Sequence, residues 1–70
     1  MTKTERRKLL QLCRRVLIHR RNGHVRYEQQ VYERLEAYCE PRGIDPSEAI
    51  AQAIVFLRRT SIADAMNGWV

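Results

Sequence analysis

Nine consecutive residues, Ala49 to Leu57, contain a single polar side chain, Gln52. Ahead of them stands Asp45-Pro46-Ser47-Glu48, a strong helix start: Asp45 caps, Pro46 takes the first helical position and Glu48 stands three residues after the cap. The helix this predicts is apolar nearly all round, and such a helix is buried on more than one side. The chain has 70 residues, enough for one domain. Chains this short bury only about 60% of the surface that their unfolded form exposes. Two thin helices cannot cover the run completely, so a second subunit is expected against Ile50, Ile54 and Leu57.

Two other segments carry a helical period. Leu9, Leu12, Cys13, Val16 and Leu17 define one stripe, predicting an amphipathic helix over about 4–21 with Thr2 or Thr4 as its cap. Arg20-Arg21-Asn22-Gly23 places cations in a last turn ahead of Asn-Gly, a good helix stop. The same Asn-Gly is also a hairpin signal; helix length and the clean stripe favour the helix. Val31, Leu35, Tyr38 and Cys39 form a second stripe that ends near Pro41. Between the two, His24-Val25-Arg26-Tyr27-Glu28 alternates with period two and reads as a short strand or as the run-in to a helix. A short last turn is expected through Ile62, Ala65 and Met66, with Trp69 beyond it. The expected division of this single domain is a basic helix over 1–23, a core over 24–59 and a tail over 60–70.

Charge is distributed unevenly. Residues 1–26 hold nine Lys or Arg against Glu5 alone, whereas residues 27–70 hold four Arg against seven acids. A basic arm on a mildly acidic body is the pattern of a module that meets a polyanion. Eleven of the thirteen bases are Arg, whose planar fork matches phosphate oxygens and guanine edges.

Catalytic patterns are missing. His19 and His24 lie five apart, no Ser or Cys stands with a base, and Gly23, Gly43 and Gly68 are isolated. No enzyme is expected. Cys13, His19, His24 and Cys39 match no zinc spacing, so neither a metal nor another cofactor is expected. Two cysteines are too few for a disulfide scaffold, and both lie on apolar stripes. No run approaches the ~20 apolar residues of a membrane span, and Arg14 and Arg15 interrupt the N-terminal apolar stretch. The expected protein is cytoplasmic, with no membrane contact.

The order of parts then becomes informative: a short alternating segment, an amphipathic helix, a Gly turn, and an apolar helix opening on Ser. Leu35 precedes Gly43 by eight residues, and Gly43-Ile44-Asp45-Pro46-Ser47-Glu48-Ala49-Ile50-Ala51-Gln52-Ala53-Ile54 follows. Over residues 24–59 this resembles the ribbon-helix-helix family of Arc/MetJ type, which reads DNA with strands. The resemblance implies a strand and two helices in an intertwined homodimer; with the N-terminal helix, which is extra to the family's minimal fold, the expected fold is mainly α, a helix followed by a strand and two helices. It implies that Val25 and Tyr27 face the dimer core beside Ile50, Ile54 and Leu57, while His24, Arg26 and Glu28 face bases. It further implies a backbone phosphate at the N-terminus of the last helix, near Pro46 and Ser47. Arg14, Arg15, Arg20 and Arg21 are assigned to phosphates by their place on or just beyond the first helix.

The leading expectation is therefore a sequence-specific binder of double-stranded DNA, a small transcriptional repressor or a plasmid or phage accessory factor. The alternative is an all-helical module that docks on a larger assembly through its cationic helix or Trp69, or binds RNA through the Arg-rich helix. Residues 24–28 discriminate. A strand there implies the DNA-reading dimer, and a helix through Tyr27 implies the helical module.

Overall fold

A computed structural model describes residues 2–59. Three α-helices follow one another: α1 (Lys3–Arg21), α2 (Val25–Cys39) and α3 (Pro46–Arg59), with a single 3-10 turn, Glu40–Arg42, after α2. The expected last turn and Trp69 lie outside the described residues.

Each helix end has a local cause. At the start of α1 the Thr2 hydroxyl accepts from the Glu5 amide at 3.2 Å, and the Glu5 carboxylate accepts from the Thr2 amide at 3.1 Å. This reciprocal capping box satisfies two amides that the helix leaves unpaired. At the other end Gly23 takes φ 71°. His24 N–H reaches the His19 carbonyl at 2.9 Å and Gly23 N–H the Arg20 carbonyl at 3.3 Å, which is a Schellman stop. The motif repeats after α2: Gly43 has φ 67°, Ile44 N–H reaches the Cys39 carbonyl at 3.1 Å and Gly43 N–H the Glu40 carbonyl at 3.2 Å. Asp45 Oδ1 accepts from the Ser47 amide at 2.9 Å, and Pro46 opens α3 as expected.

The ribbon is not formed. His24 is the N-cap of α2, and the Glu28 amide donates to its carbonyl at 2.8 Å, so residues 25–28 make the first helical turn. Five alternating residues with one β-branched side chain are a weak strand, and a two-stranded ribbon needs a second chain to satisfy its backbone. A helix pairs the same groups within one chain. Glu28 then stands favourably in the first turn of α2, near the positive end of the helix dipole. The ribbon-helix-helix fold and the intertwined homodimer built on it are accordingly overturned: the described residues are helical, without a strand. Val25 and Tyr27, assigned to a ribbon core, are 73% and 58% exposed.

The core collects Leu9, Leu10, Leu12, Cys13 and Val16 of α1, Val31, Leu35 and Cys39 of α2, and Ala49, Ile50 and Ala53 of α3. The most apolar helix thus supplies three buried residues, no more than α2. Ile54, Phe56 and Leu57 only pack against the cluster's edge, and Val55 is 52% exposed. Helix α1 is the spine of the bundle. Among the described residues no helix is long and apolar enough to cross a membrane.

Candidate nucleic-acid interface

Because α1 buries one side, its other side must face outward. At 100° per residue, Lys3, Arg7, Lys8, Arg14, Arg15 and Arg21 fall within roughly 140° of the circumference, opposite the buried stripe. Thr4, Gln11 and Ile18 lie between them, and no acid does. Lys3, Lys8, Arg15 and Arg21 are exposed, and Arg7 and Arg14 are half-buried. Nineteen helical residues extend this basic face over about 28 Å. Lys8, Gln11, Leu12, Arg14 and Arg15 line a shallow depression of about 350 Å³ on it. Beside it, Arg14, Leu17, Ile18, Arg21 and Leu57 line a smaller, apolar one of about 220 Å³.

Two ion pairs lie off this face. Arg20 Nε donates to Glu28 Oε2 at 3.2 Å, and Arg42 Nε to Glu5 Oε2 at 3.0 Å. The second belongs to a knot joining the start of α1 to the end of α2. The Tyr38 hydroxyl donates to the Glu5 carbonyl at 3.2 Å, Arg42 Nη1 donates to the Tyr38 carbonyl at 2.8 Å, and the guanidinium lies 3.8 Å from the Tyr38 ring centre. The Glu5 carboxyl is held below its ordinary range, first by the Thr2 amide and then by Arg42.

Of the residues assigned to phosphates, Arg14, Arg15 and Arg21 share the basic face. Arg20 lies on the opposite side of α1 from Gln11, in its ion pair with Glu28. Pro46 and Ser47 are elsewhere again. The Ser47 amide is taken by Asp45, and its hydroxyl shares a 3.2 Å hydrogen bond with Tyr32. Ser47 opens on a groove of about 540 Å³ that Glu33, Glu36 and the Arg20–Glu28 pair also line, surroundings that are acidic on balance.

The residues assigned to bases do not form one surface. His24 caps α2, Arg26 is exposed on its first turn, and Glu28 is held by Arg20. Lys3, Arg7 and Lys8 were not assigned a contact from the sequence, although a helical projection of residues 3–21 separates them from Arg6 and Arg20. A second cluster also went unassigned. The His19 and His24 rings have centroids 5.7 Å apart, and the Tyr27 ring lies 5.7 Å from His19 and 6.1 Å from His24.

Cys13 and Cys39 are free and buried. Burial, and then the neighbouring Cys39, push the Cys13 thiol up to about 12; burial likewise raises Cys39. The histidines and the cysteines do not gather, and among the described residues no three His, Cys, Asp or Glu side chains are grouped to hold a metal. No family model matches the chain, and neither a curated protein nor a solved structure matches it.

Proposed function

We propose that this protein binds double-stranded DNA through the outer face of α1, with backbone phosphates as the groups it recognises. One observation carries the reading: six bases share one face of a single helix, and no acid lies among them. Four of the six are Arg, suited to phosphate oxygens by their planar fork. A lone α-helix also fits the major groove, about 12 Å wide. The apolar centre that protein interfaces usually have is nearly lacking here, where Ile18, 40% exposed, is the one large apolar side chain. Without a ribbon, sequence discrimination loses its expected source, and the reading is of backbone binding tolerant of sequence.

A salt-series titration on duplex DNA tests it. Arg14→Ala combined with Arg15→Ala should weaken every duplex alike and lower the salt slope by about one per charge removed. Wild type with no salt-dependent affinity for duplex, or a double variant with an unchanged slope, would refute the proposal.

A second reading, the helical docking module, is the one that a helix through Tyr27 was expected to imply, and the apolar depression at Leu17, Ile18 and Leu57 adds to it. Ile18→Ser should leave DNA affinity unchanged if phosphates are the ligand. An Ile18→Ser variant that loses its target while duplex titrations stay flat supports protein docking instead.

A further inference from the structure

Phosphate binding leaves the middle of the basic face without a role. On a helix, a residue's surface neighbours stand three and four positions away. For Gln11 these are Arg7, Lys8, Arg14 and Arg15, every one a cationic side chain. Gln11 is exposed and lines the shallow depression with Lys8, Arg14 and Arg15. Among the described residues its amide has no hydrogen-bond partner.

The cations around it form two rows. Arg7, Arg14 and Arg21 recur every seventh residue on one side of Gln11, and Lys8 and Arg15 do so on the other. Seven residues advance a helix by nearly two turns and about 10.5 Å, so each row runs almost parallel to the axis. A helix about 10–12 Å across in a groove about 12 Å wide turns its flanks to the two phosphate walls. Its midline then faces the base edges between them. Thr4 and Ile18 share that midline, but Thr4 stands at the helix start and Ile18 has no hydrogen-bonding group. Gln11 has both a donor and an acceptor, and adenine offers their complement in N7 and the N6 amino group. Guanine would set O6 against Oε1, two acceptors. We propose that Gln11 reads adenine in the major groove, Nε2 donating to N7 and Oε1 accepting from N6. The inference rests on α1 being the DNA-binding helix, and it adds one position of base choice to contacts otherwise tolerant of sequence.

The test is selection of duplexes from random DNA with wild type and with Gln11→Ala, then salt-series titration of both proteins on the duplex that wild type enriches. Wild type should enrich a site with a fixed adenine. Gln11→Ala keeps a strong helix former and removes no charge. Its salt slope should therefore stay as it was, while its affinity for the enriched duplex falls about tenfold. Replacing that adenine by 7-deazaadenine, which removes the N7 acceptor and keeps the pairing edge, should weaken wild type and leave Gln11→Ala unaffected. Selection without a fixed adenine, the same adenine enriched by Gln11→Ala, or an equal loss on 7-deazaadenine in both proteins would overturn the proposal and leave phosphate binding by α1 in place. A wild type with no salt-dependent affinity for any duplex would remove both.

Discussion

Cys13 makes the chain's stability depend on pH in the alkaline range. Its thiol ionises near 9 in the unfolded chain and near about 12 in the fold, because burial penalises the thiolate. Below pH 9 both states are protonated and the stabilisation is complete. Between 9 and 12 the unfolded chain loses a proton that the fold retains, so stability falls by up to about 1.4 kcal/mol per pH unit. Thermal unfolding midpoints should drop over that window, less steeply in Cys13→Ala. Neither thiol should react with an alkylating reagent at pH 7.5 in native protein, whereas both should react after denaturation. The acid side has its own residue. Glu5 is held below the ordinary glutamate range, so its contribution is present above that range and is lost as pH falls through the lowered value. Thr2→Ala removes half of the capping box and should cost about 1 kcal/mol by urea titration. The capping role of Thr2 could be read from Thr2-Lys3-Thr4-Glu5 alone, since every bond in it is local. The hold of Arg42 on Glu5 could not, because it joins residues 37 apart.

At the scale of elements, helix ends and apolar stripes followed from local chemistry. Asn22-Gly23 stops α1 because a left-handed residue is needed there. A Cβ at Gly23 would meet nothing within 4 Å, so backbone strain alone should set the cost of Gly23→Ala, about 1–2 kcal/mol. Urea unfolding would measure it, and Gly23→Asn should be milder. Residues 24–28 read either as a strand or as the run-in to a helix, and the resemblance took the strand, because their alternation is too short to separate a strand from the first turn of a helix. What decides is their context: the Schellman turn delivers the chain at His24, and the α2 stripe is already helical from Val31. One consequence is measurable. Arg26, exposed on a helix rather than on a ribbon, should not discriminate between sequences, and Arg26→Ala should leave the ratio of affinities for different duplexes unchanged in a competition titration.

For the molecule as a whole, α1 serves two ends at once. Its inner side supplies five of the eleven core residues buried among those described, and its outer side is the basic face. Leu10 of α1 and Leu35 of α2 are fully buried in the core. Either one changed to Ala should cost about 2–5 kcal/mol, comparable with the ~3–5 kcal/mol that so small a core supplies. Circular dichroism at 37 °C should show Leu10→Ala largely unfolded. From the sequence alone followed the Asn22-Gly23 stop, the Asp45-Pro46 start, the apolar stripes of α1 and α2, the burial of both cysteines and the excess of bases in the first 26 residues. All depend on neighbours within about a turn, or on composition. Only the tertiary structure decided that α3 buries a narrow strip of Ala49, Ile50 and Ala53, that Arg20 turns to Glu28, that Ser47 opens on an acidic groove, and that two histidine nitrogens meet at a corner. Those outcomes depend on how helices rotate and pack against one another, and a periodic pattern gives each helix a buried side without saying what that side will meet.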